Sequence, residues 1–82
     1  MTELEADRVV DTSGLRCPEP VMMLHKAIRT VAAGDVIKVV ATDPSTQRDI
    51  PKFCRYLGHE LLKERVEVIE TGDAYEYFIR RG

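Results

Sequence analysis

Apolar residues along this chain switch between two spacings, and the order of the switches admits few folds. A period of two marks a strand whose side chains point to opposite faces; recurrence at three and four marks a helix with one buried stripe. Arg8–Thr12 is short and carries the β-branched pair Val9-Val10, and Ser13-Gly14 closes it with a turn. Val21, Leu24, Ile28 and Val31 follow at helical spacing, and Gly34 is a suitable stop. Proline is favoured where a helix begins, because its missing N–H has no helical partner there, so the spacing predicts a helix from Pro18 to Ala32. Asp35–Ala41 then alternates, with Ile37, Val39 and Ala41 on one face and Val36, Lys38 and Val40 on the other.

Thr42-Asp43-Pro44-Ser45 reads as a loop, and the second helix admits two starts. Thr46 with Asp49 resembles a capping box; alternatively Asp49 itself caps a helix that holds Pro51 in its first turn. The later start is favoured, because proline deeper inside a helix removes an interior hydrogen bond. Ile50, Phe53, Cys54 and Leu57 supply the apolar face, and Gly58 ends it. His59–Glu70 is a third strand, irregular at first and then alternating through Val66 and Val68. Thr71-Gly72-Asp73 is a hairpin turn, and Tyr75, Tyr77 and Ile79 alternate in a fourth strand. The order is βαβαββ. The first βαβ unit calls for a right-handed crossover between parallel strands. Two helices cover one face of a four-stranded mixed sheet, which gives an α/β two-layer sandwich.

With 82 residues, the expectation is one domain over residues 1–82, its polar residues 1–7 frayed. A chain of this size buries roughly 60% of the surface it exposes when unfolded. Chemistry is therefore expected at the surface or at the end of an element. A hydrophobic fraction of 44% with 32% charged residues argues against disorder. A net charge of -2, with no basic run longer than Arg80-Arg81, speaks against a nucleic-acid binder. The acidic start Met1–Asp7 lacks the apolar stretch of a signal peptide, and no apolar run approaches membrane-spanning length. Two cysteines are too few for the disulfide framework of a small secreted domain. The expected location is the cytoplasm, with both thiols reduced.

The two cysteines differ in setting. Cys54 falls on the apolar stripe of the second helix and reads as a small buried hydrophobe. Cys17 precedes Pro18-Glu19-Pro20 at the start of the first helix. A helix N-terminus and Arg16 both favour a thiolate and Glu19 opposes it, so the expected direction of the Cys17 pKa is downward. Cysteine is a poor capping residue beside Ser, Thr, Asp or Asn, so capping does not explain its presence. No Cys-x-x-Cys pair exists, which weakens a redox reading. It favours a persulfide, since a neighbouring thiol would attack that group and release sulfide.

Leu15-Arg16-Cys17-Pro18-Glu19-Pro20-Val21-Met22 resembles the Cys-Pro-x-Pro motif of the TusA/SirA family. Asp43-Pro44, Thr46, Arg48-Asp49-Ile50-Pro51, Phe53-Cys54, Gly58-His59-Glu60-Leu61 and Tyr75-x-Tyr77-x-Ile79-Arg80 continue the likeness from about Val9 to Arg81. The resemblance implies a sandwich similar to the C-terminal domain of translation initiation factor 3. It implies a sulfur carrier in 2-thiouridine formation at the tRNA wobble position, without a cofactor. The donor would be a cysteine desulfurase of the IscS type and the acceptor a relay protein of the TusD/TusE kind. Some relatives serve molybdenum-cofactor synthesis or sulfur oxidation. Glu64–Ile69 lengthens the last hairpin relative to the enterobacterial form.

In this reading Cys17 is the reactive residue. Arg16, Glu19, Met22, Asp43 and Tyr56 face partners, the last two by resemblance more than by pattern, and the free protein is a monomer. Two rivals come from other classes. An RNA-binding or regulatory module is suggested by the initiation-factor likeness and opposed by the net charge. A metal site from Cys17, His25, Cys54 and His59 matches no standard zinc spacing.

Overall fold

A computed structural model describes residues 6–69 and 72–82. The elements run β1 (Arg8–Thr12), α1 (Glu19–Ile28), β2 (Val36–Ala41), α2 (Thr46–Leu57), β3 (Glu60–Ile69) and β4 (Gly72–Arg80). The sheet order is β1-β2-β4-β3. β1 and β2 are parallel, as the crossover through α1 requires. β4 runs antiparallel to both of its neighbours and lies between β2 and β3. The expected α/β sandwich, with its mixed four-stranded sheet, is the one found.

Alternation decides which residues are buried. Ile37, Val39 and Ala41 face the helices and are fully buried, as are Tyr77 and Ile79 opposite them. Leu24, Ala27 and Ile28 of α1 and Ile50, Phe53 and Cys54 of α2 close the core from above. On the other face, Lys38 reaches Glu76 at 3.5 Å and its ammonium lies over the Phe78 ring. That side chain covers part of the face no helix reaches.

Both helices differ in extent from the sequence reading, and one apolar position differs in burial. α1 ends at Ile28 rather than Ala32: the Thr30 hydroxyl donates to the Ala27 carbonyl at 2.6 Å, and Asp35 accepts the Ala32 N–H. These side chains offer the backbone partners that a helix would otherwise supply. Val31 still packs on the core, from the loop. α2 starts at Thr46, the earlier of its two candidate starts, and Pro51 lies inside it. The Thr46 hydroxyl donates to the Asp43 carbonyl and bonds the buried Tyr77 hydroxyl at 2.8 Å. That anchorage fixes the first turn on β4 and offsets the bond that Pro51 removes. Leu57 is 48% exposed rather than part of the core.

The irregular start of β3 is a bulge between Leu61 and Lys63, where an extra residue shifts the register. Val66 and Val68 do alternate with their neighbours, but Val68 is 80% exposed, because the hairpin extends past Ala41, the end of β2. Of the segment expected to fray, residues 1–5 lie outside the described residues. Asp7 is held: its N–H donates to the Val36 carbonyl and its carboxylate accepts the Val36 N–H. Glu70 and Thr71, at the end of the expected third strand and in the expected turn, also lie outside. No helix among the described residues is long and apolar enough to cross a membrane.

Candidate functional site

The carboxyl ends of the parallel strands β1 and β2 open onto two loops, and the site is built where these loops meet. The first loop leaves β1 through Gly14, whose φ of 83° favours glycine. Its N–H donates to Thr42 Oγ1 at 2.8 Å. The Cys17 N–H donates to Asp43 Oδ2, so the loop before α1 is tied twice to the loop before α2. Asp43 also accepts the Ser45 N–H at 3.0 Å through its other oxygen. Its carboxyl is held below the ordinary range by the Ser45 N–H first and the Cys17 N–H second.

Cys17 is exposed and unpaired, and Cys54 is buried and unpaired. Burial pushes the Cys54 thiol up to about 11. The Cys17–Pro18 peptide bond is cis. The Cys17 thiol does not meet the free end of a helix, as the sequence suggested. It donates to Asp49 Oδ2 at 3.1 Å. Its pKa is consequently raised above that of an ordinary thiol, with the Asp49 hydrogen bond as the main cause. The charges of Asp49 and Asp43 act in the same direction, and the Ser45 hydroxyl acts against them. The expected downward shift is therefore corrected. Its physical basis is weak here because the Glu19 N–H is already bonded to the Arg16 carbonyl at 2.9 Å. Pro20 has no N–H to offer, so few free donors remain in the first turn of α1.

Cys17 lines a groove of about 390 Å³ between α1 and α2, together with Val21, Asp49, Phe53, Tyr56 and Leu57. Tyr56 is 76% exposed, and Met22, on the outside of α1, is 61% exposed. Arg16 and Asp43 line a second, more polar groove, to which Asp73 of the long hairpin also contributes. Glu19 is exposed on the first turn of α1. The structure thus brings Cys17 and Tyr56 to one groove and Arg16 and Asp43 to its neighbour. Asp49 is the residue beside the Cys17 sulfur that sequence reasoning read only as a helix cap. Asp49, Lys52, Phe53 and Tyr56 recur at i, i+3, i+4 and i+7, one face of a helix begun at Thr46; the later start hid that stripe. Among the described residues, no group of three or more His, Cys, Asp or Glu is placed to hold a metal ion.

The sequence model of the family described as Sulfurtransferase TusA matches residues 8–81. A sulfur carrier protein TusA of Pseudomonas entomophila is 59% identical over 81 residues, covering 99% of this chain and 96% of its own. One from Pseudomonas putida is 56% identical with the same coverage. A crystal structure of a SirA-like protein from Desulfitobacterium hafniense superposes with a TM-score of 0.68 at 20% identity, covering 92% of this chain and 99% of that one; that likeness concerns the fold. These matches make the protein a small sulfur carrier on an α/β sandwich. The chain belongs to the TusA family.

Proposed function

We propose that the protein carries a transferable sulfur as a persulfide on Cys17, within the cytoplasm. It receives that sulfur from a cysteine desulfurase and delivers it to a relay protein that serves 2-thiouridine formation in tRNA. The observation that carries this reading is the contrast between the two thiols. Cys17 is exposed and lines an apolar groove, and Cys54 is shut in the core.

In loading, the Cys17 sulfur forms a bond to the terminal sulfur of the donor's persulfide, and the donor's own S–S bond breaks. The electron pair of that bond leaves on the donor cysteine, which takes up the proton that Cys17 gives up. No external oxidant is needed, because a sulfane sulfur moves from one thiol to another. Delivery repeats the exchange with an acceptor thiol. The attacking species is the thiolate. Loading therefore depends on releasing the Cys17 proton from Asp49 when the donor docks.

Arg16, Glu19, Met22, Asp43 and Tyr56 are the proposed partner-facing residues, with Tyr56 in the groove of Cys17 and Arg16 and Asp43 in the neighbouring one. Met22 and Tyr56 are large, exposed and adaptable, which suits a surface that meets a donor and an acceptor in turn. The test is made in cells whose only copy of the gene encodes Cys17→Ser. Nucleoside mass spectrometry is expected to show loss of 2-thiouridine from tRNA, with Cys54→Ser cells retaining it. Normal thiouridine in the Cys17→Ser cells would remove the tRNA assignment.

A further inference from the structure

The Cys17 sulfur is bonded to Asp49 of α2, and the hydroxyl of Ser45 at the cap of that helix favours the opposite protonation state. Asp49, in the first turn of α2, accepts the S–H at 3.1 Å and has only oxygen acceptors to offer when ionised. Its carboxyl is held below the ordinary range chiefly by that same S–H bond, so it is ionised at neutral pH. A carboxylate in that place binds a thiol and repels a thiolate. Ser45, the residue that precedes α2, is different. Its Oγ is buried and has no hydrogen-bond partner. Its backbone N–H is already committed to Asp43 Oδ1, so the hydroxyl is not needed to build the turn. That hydroxyl acts on the same sulfur and favours its charged form. A buried hydroxyl without a partner is costly to keep, and one whose proton can rotate toward an anion gains that partner only in the charged state.

We propose that Asp49 and Ser45 form a proton lock on Cys17, in which Asp49 holds the resting carrier as a neutral thiol and the Ser45 hydroxyl takes over as donor once the sulfur is charged. The proposal deepens the carrier reading, on which its purpose rests. A carrier that is free in a reducing compartment meets small electrophiles and oxidants that attack thiolates. A thiol tied to a carboxylate resists them. Its reactivity then waits for a partner that draws Asp49 away or neutralises it.

After loading, Cys17 Sγ has lost its hydrogen and can no longer donate to Asp49. The terminal sulfur carries the charge, and Asp49 and Asp43 repel it. The same carboxylate that protected the thiol therefore turns the loaded sulfur away from α2 and toward an acceptor.

The test measures alkylation of Cys17 by iodoacetamide against pH, with the site followed by peptide mass. A neutral reagent is used so that Asp49 cannot act by repelling it. Asp49→Asn keeps the shape and removes the charge; its profile is expected to move to lower pH, with several-fold faster alkylation at neutral pH. Ser45→Ala removes a hydroxyl with no partner in the resting fold; its profile is expected to move to higher pH. Opposite shifts from two variants with wild-type melting curves are not produced by general loosening of the loop. An unchanged Asp49→Asn profile, or two shifts in the same direction, would overturn the lock. Sulfur loading of the wild-type protein by a cysteine desulfurase is measured alongside. Loading with unmoved profiles defeats the lock and leaves the carrier standing, whereas moved profiles without loading uphold the lock and defeat the carrier.

Discussion

The Asp43 side chain ties the loop before α1 to its own turn before α2, and this makes its charge a structural quantity. Its two oxygens accept the Cys17 and Ser45 N–H groups, and its carbonyl accepts the Thr46 hydroxyl. Its folded pKa lies below the ordinary value of 3.8. The unfolded chain therefore binds the proton more readily, and the carboxylate's contribution is complete above about pH 3.8 and is lost as pH falls through the lower folded value. Urea midpoints of the wild type and Asp43→Asn, compared from about pH 6 downward, are expected to differ most at the upper end and to converge in acid. A difference independent of pH would show that the charge is not what holds the loop. Cys54 makes the opposite point. Its thiol is packed in the core and pushed up to about 11, so it is expected to resist iodoacetamide until the protein unfolds. Cys54→Ser puts a hydroxyl in that space and is expected to cost ~1–3 kcal/mol if it finds no partner. Thermal melts would detect this, and a melt equal to wild type would contradict the packing described. The contrast between the cysteines was legible from the helical stripe around Cys54. The pKa direction of Cys17 was not, because it depends on Asp49, a residue distant in sequence that only the tertiary fold brings to the sulfur.

The placement of α2 determines what Cys17 touches. Sequence rules pointed to a start near Asp49, because Pro51 inside a helix removes a hydrogen bond. The rule is sound, but a tertiary contact outweighs it here. Thr46 is buried and bonded to both the Asp43 carbonyl and the Tyr77 hydroxyl. The helix consequently begins a turn earlier, and Asp49 becomes a side chain beside the sulfur instead of a cap. Pairing between Thr46 and a tyrosine on β4 leaves no signature in local spacing, so this boundary was not legible. The alternation of β2 and β4 was, because each face is decided residue by residue. Tyr77→Phe removes the hydroxyl that joins α2 to β4. It is expected to lower stability by ~0.5–1.5 kcal/mol and to speed amide exchange at the first turn of α2. Unchanged exchange there would mean that the helix start is held by something else.

At one end of the sheet the exposed Cys17 lines one groove, and its neighbour Arg16 lines a second that the long hairpin also reaches. The order of elements and the sandwich were legible from the switching of periodicity. The two grooves were not, since they arise where loops and helix faces separated in sequence come together. The net charge of -2 is also a property of the whole chain, and it bears on the proposed place in tRNA thiolation. The carrier is expected to act through proteins and not to hold tRNA itself. A titration with tRNA is expected to show no binding whose logarithm falls steeply with that of salt. Tight, salt-sensitive binding would favour an RNA-binding module instead. The central claim remains chemical and is tested most directly by intact mass. The protein is incubated with a cysteine desulfurase and cysteine, and its mass is recorded before and after a reductant. The account predicts one added sulfur that the reductant removes, present in the wild type and in Cys54→Ser and absent in Cys17→Ser. A Cys17→Ser protein that still gains the sulfur, or a folded wild type that never does, would contradict it.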